Sequence, residues 1–390
     1  MPVFNTLADR HEIMKGWRRE LHAHPELGFE ETWTSQFIAD KLESFGIETH
    51  RGLAKTGVVG IIRGQGSSDR MIGLRADIDA LPMQEANDFA HKSQIDGCMH
   101  ACGHDGHTTM LLGAAQYLAE TRNFDGTVVV IFQPAEEGGA GGKVMITDGL
   151  FDQFNVETVW GMHNWPGVDV GKAVVQRGSS MAGADMFTIT ITGKSGHAAM
   201  PHTTIDPITC GASMVQALQT IASRRVDPLD PVVISVTQFH SGFTHNVIPN
   251  QAEIVGTARF VRYETRAFVE SQMRHLSASI AAAHDCEVTF DWEEGYPPTI
   301  NHPEEANRAA ASVERVLGED SVIFDAPPSM ASEDFSFMLE ARPGAYIWLG
   351  AGEGKKGAML HNTGYDFNDD LLASGASFWV QLVEDELPRG

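Results

Sequence analysis

The chain has 390 residues, with 28 basic and 52 acidic side chains and a formal net charge of -24 at pH 7. This acidic excess argues against binding to nucleic acid or to an anionic membrane surface, because both require clusters of basic residues. The hydrophobic fraction of 42% is ordinary for a globular protein, and the length leaves room for two or three domains.

Helices and strands are predicted in alternation along most of the chain. Leu7, Met14, Trp17 and Leu21 recur at helical spacing, and this helix should end before Pro25, since a proline disfavours the helical state of the preceding residue. Further helices are predicted over 32–45, 108–119 and 368–384, and strands over 71–74, 127–132, 156–162 and 345–349. This order predicts an α/β fold in which helices flank a largely parallel sheet.

Residues 185–298 interrupt this alternation. Apolar and polar residues alternate over 187–192, as expected of a half-buried strand. Helices over 206–223 and 262–284 and strands over 232–239, 251–260 and 286–292 then complete the order β-α-β-β-α-β. That order is typical of a ferredoxin-like sandwich. The sequence therefore predicts a larger domain formed by 1–184 and 299–390, with an inserted α+β domain at 185–298.

The cysteines and the start of the chain bear on the cellular compartment. Only four cysteines are present, and their spacing is no disulfide framework, which favours a reducing environment. Residues 1–21 carry charges throughout, and no run approaches the ~18 apolar residues of a membrane helix. We therefore expect a cytoplasmic protein.

Groups able to bind metal follow predicted strands or precede the predicted helix over 108–119. Cys102 and His104 are two residues apart, with a glycine between them, and His163 follows the strand over 156–162. The carboxyl ends of parallel strands are where ligands bind in open α/β sheets, so these groups are expected to converge. A thiolate and imidazoles favour zinc or a related transition metal over magnesium or calcium.

Glu136 and Glu137 follow a fully apolar strand and precede the glycine-rich run GGAGG. Adjacent glutamates are usually a solvated pair, but two carboxylates beside a buried strand require a cation or a proton to compensate their charge. One could bind a metal while the other moves a proton. His100 and His107 stay ambiguous at this point, and structural roles are favoured for both.

Other catalytic schemes find little support in the sequence. There is no G-x-S-x-G nucleophile motif, and His11-Glu12 lacks the second histidine of H-E-x-x-H. The run GGAGGK has the wrong spacing for a phosphate-binding loop, and no G-x-G-x-x-G motif opens the chain.

Seven segments in order make the chain resemble the aminoacylase/carboxypeptidase family of co-catalytic metallopeptidases. They are LHAHPELGFEE (21–31), GLRADIDALP (73–82), MHACGHDGH (99–107), FQPAEEG (132–138), GKSGHAAMPH (193–202), NVIP (246–249) and SEDF (332–335). Within that family, the chain is most similar to the branch of hippurate hydrolases, N-acyl-amino-acid amidohydrolases and auxin-conjugate hydrolases. The resemblance covers essentially the whole chain.

The resemblance implies two divalent metal ions per subunit, Zn²⁺ or Mn²⁺, with Co²⁺ and Ni²⁺ also suited to the same donors. The ligands it implies are Cys102, His104, Glu137, His163 and His361. The family's His-x-Asp motif reads Arg75-Ala-Asp77 here, so the first histidine ligand is missing, a departure that this branch shares. Asp77 and Asp105 would then orient the ligands from behind.

The same resemblance implies the remaining roles. Glu136 would take the proton of the attacking water, and His197 would reach the partner subunit's active site and stabilise the oxyanion. Asn246 and Arg259 would bind the substrate carboxylate, a task that suits the planar arginine fork. The inserted domain would serve as a lid and dimerisation module in a homodimer or a dimer of dimers.

The function that these inferences favour is hydrolysis of an N-acyl amino acid to a carboxylic acid and a free amino acid by a metal-activated water. A dipeptidase and an N-acetyl-diamino-acid deacetylase would use the same residues. A metal-binding dimer without catalysis is the alternative outside the enzymes. Metal binding alone, however, does not require Glu136 as a proton carrier. The sequence leaves the acyl group, the native metal and the size of the oligomer open.

Overall fold

The computed structural model describes residues 4–353 and 358–389. The chain divides into two compact units. We call the unit formed by Met1–Gly178, Ile300–Pro327 and Asp334–Gly390 the larger unit, and that formed by Ser179–Thr299 and Pro328–Glu333 the smaller unit. The sequence placed the insert at 185–298, and its assignment as a domain with a function of its own stays a prediction.

The larger unit contains a central sheet of eight strands. These strands are β1 (Glu48–Leu53), β2 (Gly57–Arg63), β3 (Met71–Asp77), β4 (Thr127–Gln133), β5 (Thr158–Trp165), β6 (Ala173–Val174), β15 (Val322–Ile323) and β16 (Gly344–Gly350). Their order across the sheet is β1-β2-β4-β3-β5-β16-β6-β15. The four middle strands, β4, β3, β5 and β16, are mutually parallel, so their carboxyl ends lie along one edge.

Helices cover this sheet and bury its middle strands on both faces. The helices of the larger unit are α1 (Asn5–Asp9), α2 (His11–Ala23), α3 (Thr32–Ser44), α4 (His104–Thr121), α5 (Glu136–Gly139), α6 (Gly141–Thr147), α7 (Leu150–Gln153), α10 (Pro303–Leu317), α11 (Phe335–Ala341) and α12 (Leu372–Glu386). Six of the seven residues of β4 are buried, as expected of a parallel strand covered on both sides.

The smaller unit contains a four-stranded antiparallel sheet and two helices. In chain order these are β8 (Gly183–Thr192), α8 (Pro207–Arg224), β10 (Val232–Ser241), β12 (Gln251–Phe260), α9 (Tyr263–Ala283) and β13 (Glu287–Tyr296). The strands lie in the order β10-β12-β8-β13, the arrangement of a ferredoxin-like sandwich. Short strands β9 (Gly196–His197) and β11 (Val247–Ile248) form a separate ribbon, and β7 (Ser179–Met181) pairs with β14 (Thr299–Ile300).

The predicted fold class, a largely parallel sheet flanked by helices with an inserted ferredoxin-like unit, is confirmed. Several boundaries differ from the predictions. Helix α4 begins at His104 rather than at residue 108, and β5 extends to Trp165, which places His163 inside the strand. No helix in the described part of the chain is long and apolar enough to span a membrane.

Candidate metal centre and active site

The parallel strands carry the candidate metal donors to one edge of the sheet. Strand β5 carries His163 near its carboxyl end, and Glu136 and Glu137 follow β4 after a tight turn. The loop before α4 contributes Cys102, and His104 is the first residue of that helix. These side chains are buried except for Glu137, which is partly buried. The edge therefore gathers thiol, imidazole and carboxylate donors in a largely dry environment.

Five groups of possible metal donors lie among the described residues, and three of them contain two or more of the predicted ligands. Within each group, one donor atom per residue lies within 4.8 Å of the others. These three groups are Cys102 with His104 and His163, Cys102 with Glu137 and His361, and His104 with Glu136 and Glu137. Cys102, His104 and Glu137 each belong to two of these groups. All five side chains predicted as ligands thus lie in connected groups.

The ring orientations of His163 and His104 suit metal binding. His163 Nδ1 lies 2.6 Å from the carbonyl oxygen of Asn164, and His104 Nδ1 lies 2.9 Å from that of Asp79. A carbonyl only accepts, so in both rings Nδ1 carries a proton and Nε2 is the nitrogen left for a metal ion, which would replace any proton held there. His163 Nε2 is 3.3 Å from Cys102 Sγ, while buried His104 Nε2 has no hydrogen-bond partner among the described residues. An orphaned buried lone pair of this kind fits a cation.

The electrostatics of the cluster also favour a cation. Burial raises the pKa of the Cys102 thiol well above its usual range, and the charges of Glu137 and Glu136 raise it further. Burial lowers the pKa of His104, but the charge of Asp77 and the hydrogen bond to Asp79 outweigh this and raise it to about 10. Burial holds the pKa of His163 well below its usual range, and the charge of neighbouring His107 lowers it further. The metal-binding thiolate thus requires the compensation that a metal ion supplies.

His361 reaches the cluster from a distant loop. Its Nε2 lies 3.1 Å from Glu137 Oε1, and 53% of its side chain is exposed. The residue adopts a left-handed backbone conformation with φ of 60°, and its N–H donates to the carbonyl oxygen of Ala101 at 2.8 Å. That contact ties the loop to the segment that carries Cys102. No local pattern around a lone loop histidine would have identified it.

Asp77 and Asp105 lie behind the donors and face different partners. Asp77 Oδ1 accepts from His107 Nδ1 at 2.6 Å, and Asp77 Oδ2 is 3.7 Å from His104 Nε2. Asp105 instead faces away from the ligand rings, with Oδ2 2.8 Å from His22 Nδ1. Asp77 therefore contacts a candidate ligand directly, whereas Asp105 is connected to His104 through the backbone.

The two ambiguous histidines occupy different environments. Both ring nitrogens of His107 have partners, since Nε2 lies 2.7 Å from Asn164 Oδ1 in addition to the contact with Asp77. His107 therefore has no nitrogen left for a metal. His100 is also buried, but neither of its nitrogens has a hydrogen-bond partner among the residues that the structure describes. Burial lowers the pKa of His100 to about 4, so its ring is neutral.

Two further carboxylates organise the site and were not assigned a role from the sequence. Asp79 Oδ2 accepts from the backbone N–H of Glu137 at 2.9 Å, and Asp79 also binds His104 Nδ1. Buried Glu31 accepts from the N–H of Ala135 at 2.9 Å and so supports the left-handed turn before Glu136. Both lie within conspicuous motifs, but only the folded chain shows which backbone groups they bind.

Arg75 stands where the resemblance would lead one to expect a histidine ligand. A guanidinium does not bind metal, and that of Arg75 is engaged elsewhere, with Nη1 donating to Asp77 Oδ2 at 2.8 Å. Cys102, His104 and His163 supply a donor group without it. The residues present therefore fit two cations despite the missing histidine.

The predicted substrate-binding residues lie in the smaller unit. The β9–β11 ribbon pairs His197 with Val247, and Ala198 N–H donates to the carbonyl oxygen of Asn246, so the ribbon holds His197 and Asn246 close together. His197 Nδ1 accepts from the N–H of Ala199 at 3.0 Å, which leaves Nε2 as the protonated, donating nitrogen. Arg259 lies on β12 and donates to the carbonyl oxygen of Met330 at 3.2 Å.

Residues 73–385 match the family model described as Peptidase family M20/M25/M40. The chain belongs to this family. It is 42% identical over 366 residues to a hippurate hydrolase of Campylobacter jejuni, with 94% of each chain covered. It is also 42% identical over 383 residues to the IAA-amino acid hydrolase ILR1-like 2 of Arabidopsis thaliana, covering 96% of this chain and 86% of the relative.

A solved structure agrees with these likenesses. The Bacillus subtilis YXEP protein, a dinuclear metal binding peptidase from the M20 family, superposes with a TM-score of 0.87 at 35% identity, covering 97% of this chain and 99% of that one. The predicted family and the enzyme class are thereby confirmed, and this M20 chain is an amidohydrolase that uses two divalent metal ions.

Proposed function

We propose that this M20 enzyme hydrolyses N-acyl amino acids of the hippurate type to a carboxylic acid and a free amino acid. The proposal depends on the position of Glu136, a buried carboxylate that lies beside His104 and Glu137 in the donor cluster and is not one of the five residues proposed as metal ligands. The similarity to a hippurate hydrolase along 94% of both chains supports the choice of substrate class.

The residues proposed to hold the two metal ions are Cys102, His104, Glu137, His163 and His361. When bound, such ions acidify a water molecule and polarise the scissile carbonyl group. The mixed sulfur, nitrogen and oxygen donors favour Zn²⁺ or Mn²⁺, and Co²⁺ or Ni²⁺ would accept the same set. Asp79 keeps the His104 ring oriented from behind through its contact with Nδ1.

Glu136 is the proposed proton carrier. It is 6% exposed, and its Oε1 accepts from the N–H of Asp334 at 3.3 Å, a contact that restrains the carboxylate. In this role it takes a proton from the attacking water and delivers it to the nitrogen of the leaving amine. One carboxylate can serve both steps because it is regenerated when the amine leaves.

His197 is the proposed oxyanion donor. The exposed ring accepts from Ala199 through Nδ1, so the neutral imidazole has an Nε2–H free to donate to a substrate oxygen. A positioned neutral donor of this kind stabilises the charge that develops on a carbonyl oxygen. We propose that His197 acts on substrate bound in the partner subunit, and that the smaller unit is the lid and dimerisation module of a homodimer or a dimer of dimers.

Arg259 and Asn246 are the proposed contacts of the substrate carboxylate. The half-buried guanidinium of Arg259 donates to one backbone carbonyl, and burial lowers its pKa. No carboxylate of the described residues forms an ion pair with it, so its charge is left to be compensated by a ligand. A planar guanidinium that meets a carboxylate through two parallel hydrogen bonds would meet that need. A cytoplasmic location remains part of the proposal.

The test is product release from a panel of amides by the purified protein. The panel comprises N-benzoylglycine, N-acetyl-leucine, a long-chain N-acyl amino acid, a dipeptide and an N-acetyl-diamino acid, each with added Mn²⁺ or Zn²⁺ and again after chelation. We expect metal-dependent cleavage, fastest for an N-acyl amino acid. Faster cleavage of the dipeptide or of the N-acetyl-diamino acid would assign the enzyme to one of those substrate classes instead, and no cleavage of any member by protein carrying two metals would refute the proposal.

A further inference from the structure

A buried ion pair lies immediately behind the proposed proton carrier. Arg75 on β3 is only 1% exposed, and a guanidinium taken out of water requires charged or hydrogen-bonded partners. Its Nη2 donates to Asp334 Oδ1 at 3.0 Å, and its Nε donates to Gln133 Oε1 at 2.9 Å. The side chain therefore connects the ends of two neighbouring strands to the segment that precedes α11.

The carboxylate of Asp334 is the centre of this network. It is fully buried, and beside Arg75 it accepts from Gln133 Nε2 at 2.8 Å and from the N–H of Gly142 at 2.8 Å. Gln133 and Gly142 lie on either side of Glu136 in the sequence. Both chain segments that flank Glu136 are thus fastened to one carboxylate.

Asp334 also contacts the proposed proton carrier itself, because its backbone N–H donates to Glu136 Oε1 at 3.3 Å. The side chain of Asp334 fixes the position of that N–H, and Arg75 fixes the side chain. A displacement of the ion pair would therefore move the donor that restrains Glu136. Arg75 at the same time donates to Asp77, which lies on the metal side of the site.

We propose that the Arg75–Asp334 ion pair is a positioning clamp for the carboxylate of Glu136. Both act through Glu136 and neither is proposed to contact the substrate, so both are positioning residues. The clamp sets the placement of Glu136 through the Asp334 N–H and through the two flanking segments. This inference rests on the proposed function, in which Glu136 carries the proton.

Geometry, rather than charge alone, is what the clamp supplies. A lysine at position 75 keeps the positive charge but loses the fork that binds Gln133, Asp77 and Asp334 together. A glutamate at position 334 keeps the negative charge but places it one methylene farther from the backbone N–H. Removal of residues that orient a site from behind commonly costs about 10- to 100-fold in activity. A clamp predicts losses of that size from both charge-conserving changes.

The experiment compares Arg75→Lys and Asp334→Glu with the wild-type enzyme at saturating Mn²⁺. We expect kcat to fall about 10- to 100-fold while KM and bound metal stay within about twofold of the wild-type values. The matched control is Asp185→Glu in the smaller unit, because fully buried Asp185 binds Arg266 through two hydrogen bonds of 2.6 and 2.7 Å and accepts from the N–H of Gly295. This control should lose thermal stability but keep kcat within about twofold.

A double variant, Arg75→Met with Asp334→Leu, decides the matter if the single variants fail to fold. Replacing both partners of a buried ion pair by apolar residues commonly restores stability. A stable double variant that remains at least tenfold slower supports the clamp. Recovery of kcat to within about twofold of the wild type overturns it, as does a loss of kcat that matches a loss of bound metal. Absence of wild-type turnover would refute the proposed function and the clamp together, whereas normal turnover in the variants refutes the clamp alone.

Discussion

The protein restrains the donor cluster of the larger unit more fully than it restrains the proposed substrate-binding residues of the smaller unit. In the cluster, the protonated nitrogens of His104 and His163 are fixed by the carbonyl groups of Asp79 and Asn164. In the smaller unit, exposed His197 has one backbone contact at its ring, and Arg259 donates to one carbonyl. The first region is organised before any substrate binds, while the second has donors left over for a ligand.

This difference indicates which kinetic constant each region should control. A buried, fully engaged group acts on chemistry or on metal binding, so its loss should appear in kcat or in metal content. A group with unused donors acts on the substrate or on the transition state. Substitutions in each region test this division.

Glu136→Gln should produce the largest loss. The amide cannot accept the proton of the attacking water, so we expect kcat to fall by about 10²- to 10⁴-fold. Bound metal should stay at two ions per chain, because Glu136 is not among the proposed ligands. Steady-state hydrolysis of N-benzoylglycine together with metal analysis by mass spectrometry measures both.

The control for this change is Glu157→Gln, which alters an exposed glutamate of the same unit that pairs with Arg70. It should leave kcat unchanged within about twofold. Near-normal turnover in Glu136→Gln with both metals bound would remove Glu136 from the chemistry. The rule that buried, engaged groups control kcat would then fail for Glu136.

His197→Ala tests the exposed region. Loss of one oxyanion donor typically lowers kcat by about 10²- to 10³-fold, and metal content should not change. His202→Ala is the matched control, since His202 is also exposed, lies five residues away and has no proposed role. An unaffected kcat in His197→Ala would mean that the ring only supports the β9–β11 ribbon and takes no part in catalysis.

Mixing the Glu136→Gln and His197→Ala proteins sharpens the same test. If each active site takes its two residues from different subunits, random reassembly into dimers should restore about a quarter of the wild-type activity. Activity that stays at the sum of the two separate variants would place both residues in one subunit. The measurement requires reversible dissociation, which gel filtration of the diluted protein can establish.

Much of the parallel sheet could be predicted because its strands are continuous apolar runs, as in β4, where six of seven residues are buried. Strand β1 escaped prediction because it is polar and largely exposed, with no hydrophobic pattern to reveal it. The true start of α4 escaped for the opposite reason. Its first residues are polar but buried, since they serve the site rather than the core.

The donor types of the candidate site were readable from the sequence, but their connections were not. The two glutamates follow a predicted strand, and Cys102 and His104 lie in the loop before a predicted helix, so convergence at one edge of the sheet is expected. Asp79, which binds His104 and the N–H of Glu137 at once, joins groups that are 25 and 58 residues away in the sequence. Such contacts depend on the register of β3 beside β4, which no local pattern specifies.

Arg259→Lys should have a smaller, substrate-directed effect. Lysine keeps the charge but loses the second parallel hydrogen bond to a carboxylate, so we expect KM to rise about tenfold with kcat little changed. Arg262→Lys, at a mostly exposed arginine three residues away, is the control. The increase in KM of Arg259→Lys over the wild type should disappear for a substrate whose carboxylate is blocked as an amide. An equal rise for the blocked substrate would show that Arg259 does not bind the carboxylate.

The smallest effect concerns stability rather than catalysis, in the buried region behind the metal cluster. Burial lowers the pKa of His22, but its hydrogen bonds to Asp105 and Glu85 outweigh this and raise it to about 9. Because the folded value exceeds the unfolded value of about 6.5, this stabilisation is fully present below pH 6.5 and is lost as the pH rises through 9. The pKa of Asp105 is shifted downward, so its contribution is instead lost in acid.

We therefore expect the free energy of unfolding of the metal-free protein to fall by about 3 kcal/mol more between pH 6.5 and pH 10 in the wild type than in His22→Gln. Urea unfolding at several pH values measures this difference, and His275→Gln, at an exposed histidine, is the control. Parallel pH profiles in the wild type and His22→Gln would mean that His22 is neutral in the folded protein. In that case the carboxylates around it, and not an imidazolium, would carry the charge behind His104.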